Sequence, residues 1–63
     1  MKYLFVRKIE EKFYLQFNYE QFLGLPNSKD HSNAFEFSSY GSAYDYGILF
    51  CRNNPRQAKF AFL

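Results

Sequence analysis

The chain has 63 residues, a net charge of +2, nine Phe, six Tyr, no Trp and one cysteine. This length implies a single small domain spanning 1–63, whose folded surface of roughly 4,300 Å² against about 11,000 Å² unfolded leaves a thin core. Such domains usually depend on disulfides, metals or partners. The lone Cys51 excludes an internal disulfide, and Cys51 with His31 is too small a ligand set for structural zinc.

The resource is instead aromatic. Fifteen rings, at about 150–250 Å² each, offer roughly 3,000 Å² of burial. Nine Phe can fill such an interior, whereas six Tyr in addition exceed it. The plain reading is that the tyrosines roof a small core. The functional reading is that several form an exposed recognition patch.

Residues 3–9 are rich in β-branched and aromatic side chains and are predicted as the first strand. Only four apolar residues stand between Lys2 and Arg7, too few for a signal-peptide core, and no run approaches a membrane span. Glu10-Glu11 forms the turn into a second strand, residues 12–18, where Phe13, Leu15 and Phe17 alternate with Tyr14 and Gln16. Glu disfavours the positive φ of tight turns, which predicts a loop longer than two residues. A two-residue loop opposes Val6 with Leu15 and Leu4 with Phe17. A three-residue loop opposes Phe5 with Phe17 and exchanges the faces, so the register stays open. A continuous helix over 7–17 is the competing reading, and the alternation favours the hairpin.

Asn18 followed by Gln21 resembles a capping box, with Phe17 and Phe22 placed as a hydrophobic staple, Gly24 as a terminator and Pro26 beyond it. This predicts one short helix over 19–23. Residues 26–33 read as a polar surface loop. Ala34 to Ser38 alternates again and predicts a third strand with Phe35 and Phe37 inward. Residues 39–47 read as a loop rich in Tyr, Ser and Gly, and 48–52 as a buried strand. The rival is a helix over 43–53 capped by Ser42-x-x-Asp45 and stopped before Pro55, which Gly47 and the Ile-Leu-Phe-Cys run weaken. Asn53-Asn54-Pro55-Arg56 is a turn, and 57–63 closes the chain with Ala58, Phe60 and Phe62 on one face. The expected fold is therefore α+β, a small bent antiparallel sheet of four to five strands with one short helix near 19–23.

No motif for catalysis, metal or cofactor emerges. Cys51 lies in an apolar run and His31 in a polar loop, so a thiol nucleophile with its base rests on residue types alone. Asp30 with His31 would need further metal ligands, and Gly41 and Gly47 match no phosphate-binding spacing. Two constellations remain. Tyr40, Tyr44, Asp45 and Tyr46 stand in the palette of antibody paratopes, large rings interspersed with Ser and Gly. Arg52, Asn54, Arg56 and Lys59 form a basic tail without any acid after Asp45. The expectation is a small, cytoplasmic, non-enzymatic binding protein, with a free thiol suited to that compartment. It would act as a regulator or inhibitor, in the style of those encoded by phages and mobile elements, docking on a larger protein through these residues. Alternatives are a single-stranded nucleic-acid-binding module using rings and cations, and an obligate homo-oligomer.

Overall fold

A computed structural model describes residues 2–18, 20–24 and 33–61. Three strands and one helix follow in the order β1 (Lys2–Ile9), β2 (Lys12–Phe17), α1 (Tyr40–Asn53) and β3 (Ala58–Phe60). The sheet is mixed, with order β2-β1-β3, β1 being antiparallel to β2 and parallel to β3. The expected four to five antiparallel strands are thus reduced to three, and the helix lies at 40–53 rather than 19–23.

The hairpin turn is the tight two-residue form. Glu10 and Glu11 adopt φ of 48° and 70°, and the register pairs Leu4 with Phe17 and Val6 with Leu15. Local preference is overruled here by packing. A left-handed non-glycine residue costs about 1–2 kcal/mol, whereas each of Leu4 and Leu15, both fully buried, gains about 1.5–3 kcal/mol on leaving water. A slip of one residue would turn both away from the core.

Asn18 caps no helix. It takes φ 43° in a turn in which Glu20 N–H donates to the Phe17 carbonyl at 2.7 Å. Its side-chain Oδ1 instead accepts from Tyr3 N at 2.9 Å. The chain then runs back along β2: Leu23 N donates to the Leu15 carbonyl at 2.8 Å, and Phe22 forms a bridge with Gln16. With Leu23 N and the Gln21 carbonyl both bonded to β2, the latter accepting from Phe17 N at 2.8 Å, the described part of 19–23 runs along the strand instead of coiling into a helix. Gly24 continues this return and bridges Ala34 so closely that a Cβ would lie 2.6 Å from the Ala34 Cα. The predicted strand at 34–38 is likewise reduced to isolated bridges, Ala34 to Gly24 and Phe37 to Phe13. Phe37 packs on the core, but Phe35, expected inward, is exposed.

Residues 40–53, read as a loop followed by a strand, are one helix. The Ser39 hydroxyl accepts from Ser42 N at 3.2 Å as the N-cap, three residues upstream of the rival's Ser42. Asn54 closes the other end, its backbone N–H and its Nδ2 both donating to the Phe50 carbonyl at 2.9 and 3.0 Å. Pro55 then precludes continuation. Under helical periodicity the apolar run splits into faces: Ala43 and Gly47 are buried, with Tyr44, Ile48, Phe50 and Cys51 half-buried beside them. This face lies on the sheet over Leu4, Leu15 and Phe60, with Val6 and Phe17 at the margin. In β3, Ala58 and Phe60 point inward as expected; Phe62, His31 and all but the last residue of the segment 26–33, expected as a polar loop, lie outside the described residues.

Candidate functional site

The helix redistributes the tyrosines that the loop reading had grouped. At about 100° per residue, Tyr44 turns toward the sheet, where its ring lies edge-on to Phe60 at 5.1 Å. Tyr44 is therefore half-buried against the core, apart from the more exposed rings. Tyr40 and Tyr46 remain outside, 52% and 42% exposed. Tyr40 rests against Phe13 at 6.2 Å and Tyr44 at 6.0 Å, and Tyr46 is held by Phe35 at 5.8 Å and Phe37 at 5.4 Å. Such edge and tilted contacts fix the ring bodies while leaving their outer faces in water.

Ser42, Tyr46, Leu49 and Asn53 recur at spacings of four, three and four and are all exposed, forming one outward stripe of the helix. Leu49, which the sequence reading missed, is 52% exposed. It borders a shallow groove of about 250 Å³ together with Tyr46, Phe50, Asn53 and Asn54. With Phe35 alongside, an apolar strip thus runs along one flank of α1. Its signal was available in the sequence, but only once 40–53 is taken as helical. Asp45 is also exposed and lies one turn before Leu49, at the border of this stripe.

The basic residues divide by role. Asn54 serves as the C-cap, so its side-chain amide is committed to the Phe50 carbonyl. Arg52, Arg56 and Lys59 are exposed and collect around the turn between α1 and β3. Lys2 joins them, because β3 runs parallel to β1 and sets Ala58 beside Lys2. Among the described residues the one ion pair is Lys12 Nζ to Glu36 Oε2 at 3.1 Å, next to the hairpin's acidic turn at the opposite end of β1. No described carboxylate comes within 4.0 Å of Lys2, Arg52, Arg56 or Lys59. The corner is thus a concentration of uncompensated positive charge.

Reactive groups are few. Cys51 is half-buried and burial raises its thiol pKa, which disfavours the thiolate. Its proposed companion His31 lies outside the described residues. Among the described residues no group of three His, Cys, Asp or Glu side chains is placed to hold a metal ion. No described helix is long and apolar enough to cross a membrane. Comparison with known proteins finds no matching family model, curated protein or solved structure.

Proposed function

We propose that this is a small non-enzymatic binding protein of the cytoplasm, a regulator or inhibitor that docks on a larger protein through the outer flank of α1. The supporting observation is the strip of Phe35, Tyr46 and Leu49, whose large apolar side chains stay substantially exposed in a chain with few buried positions to offer. Tyr46 is already braced by two phenylalanines, so docking it immobilises little that was free, which favours affinity. Tyrosine anchors surrounded by exposed polar groups, here Ser42 and Asn53, match the make-up of interface hot spots. Tyr40, against Phe13 and Tyr44, stands on another side of the helix from this strip, and the exposed cations Arg52 and Lys59 lie at and beyond the helix's C-terminal end.

The test compares capture of partners from native cytoplasm by the wild-type chain and by a Tyr46→Ser, Leu49→Ser double variant. Both positions are exposed, so the variant should keep its fold by circular dichroism. Loss of the specifically captured protein supports the reading, and full retention overturns it. Sedimentation of the wild-type chain decides the homo-oligomer alternative: a dimer dispersed by the same double variant would assign the strip to self-association.

A further inference from the structure

Beyond the helix flank, we propose that a second site, the groove between the start of β1 and the turn after α1, receives an acidic segment of a partner protein that presents a bulky apolar side chain. The groove has a volume of about 570 Å³ and is lined by Lys2, Phe17, Leu23, Phe50, Arg56 and Gln57, within the usual range for ligand sites. Its apolar floor is Phe17 against Phe50, edge-to-face with centroids 6.0 Å apart, flanked by Leu23.

The walls are held by main-chain bonds and need not be assembled by the ligand. Lys2 N donates to the Gln57 carbonyl at 3.3 Å on one side, and Leu23 N to the Leu15 carbonyl at 2.8 Å on the other. The rim is cationic. Lys2 Nζ lies 5.8 Å from the centroid of the Phe17 ring, and Arg56 projects from the turn; neither has a described carboxylate within 4.0 Å. An apolar floor under two unneutralised cations is complementary to a hydrophobic side chain between carboxylates.

The same geometry disfavours a nucleic acid strand. Base stacking requires a flat ring platform, whereas Phe17 and Phe50 meet edge to face, 63° apart between planes. What the floor offers is a hydrophobic recess rather than a platform.

The experiment titrates the full chain, isotopically labelled, with a fluorescein-tagged peptide Asp-Glu-Phe-Asp-Leu-Asp, reading anisotropy and amide shifts. Saturable binding is expected, with shifts concentrated at Phe17, Leu23, Phe50 and Gln57. Arg56→Glu and Lys2→Glu should each weaken it by about tenfold or more, and raised salt should weaken it several-fold. Both are exposed substitutions, verified as folded by circular dichroism. Absence of binding, indifference to both charge reversals, or equal binding of the Asn/Gln version of the peptide would overturn the proposal. A fluorescein-tagged oligothymidine that displaces the peptide and produces the same shifts more tightly would also overturn it. Tyr46→Ser, Leu49→Ser serves as the control: it should leave peptide binding unchanged, which separates this groove from the helix flank.

Discussion

Gly47, in the middle of α1, sits against the ring of Phe60 from β3. A methyl group at position 47 would come within 2.5 Å of Phe60 Cε1 and 3.0 Å of Leu15 Cδ2. The glycine that weakens a helix locally is what allows this helix to settle on the sheet. Phe60 and Leu15 are both buried, so neither ring nor isobutyl group can withdraw freely.

Gly47→Ala should therefore destabilise despite its better helix propensity. A propensity gain of about 0.5–1 kcal/mol is outweighed by an overpacking cost of about 1–3 kcal/mol. A net loss of about 1–2 kcal/mol, read as a lower urea midpoint at constant slope, is expected. Gly41 is the comparison: nothing lies within 4 Å of a Cβ there, and Gly41→Ala should be neutral or gain up to about 0.5 kcal/mol. Stabilisation by both substitutions would contradict the packing.

The hairpin turn predicts the opposite sign. Glu10 and Glu11 hold left-handed φ of 48° and 70°, which Asn and Gly adopt at far lower cost. The double change Glu10→Asn, Glu11→Gly should raise stability by about 1–2 kcal/mol without altering the register. Unchanged cross-strand contacts between Val6 and Leu15, observed by NMR, would verify the register; loss of stability would argue against the two-residue turn.

Alkaline pH should destabilise the fold through the Tyr14–Glu36–Lys12 cluster. Burial, then the charge of Glu36, pushes the Tyr14 phenol above its ordinary 10.0. The hydrogen bond to Glu36, then its charge, pushes the Lys12 ammonium above 10.5. Both groups hold their protons more tightly folded than unfolded. Their contribution is complete below about pH 10 and declines as pH rises through the folded values. Tyr14→Phe should flatten part of this decline in pH-dependent thermal melts, and an unaltered profile would remove Tyr14 from the account.

Asn54 separates folding from binding. Asn54→Ala removes the Nδ2 bond to the Phe50 carbonyl at 3.0 Å and keeps the backbone bond at 2.9 Å. A loss of about 0.5–1.5 kcal/mol is expected, with partner capture preserved at temperatures where the variant is folded. Selective loss of capture in a fully stable variant would return Asn54 to the docking surface.

The sequence by itself determined β1, through its β-branched and aromatic content, β2, through period-two alternation, and the inward pair Ala58 and Phe60. It also determined that the rings outnumber the buried positions, since Tyr3, Tyr40 and Tyr46 all remain exposed. Tertiary structure decided the rest. An apolar run such as Ile48–Cys51 has no period of its own to favour strand or helix, and only a sheet presenting Leu4, Leu15 and Phe60 as a floor selects the helical arrangement. The capping pattern at Asn18 likewise fits a helix or a turn, and the free edge of β2 took the backbone bonds that a helix would have used. The helix turned Tyr44 against the core and left Leu49 outside, while the parallel pairing of β3 with β1 brought Lys2 to the turn that carries Arg56. Local signals state what a segment can do, whereas the surface it must cover settles which of those it does.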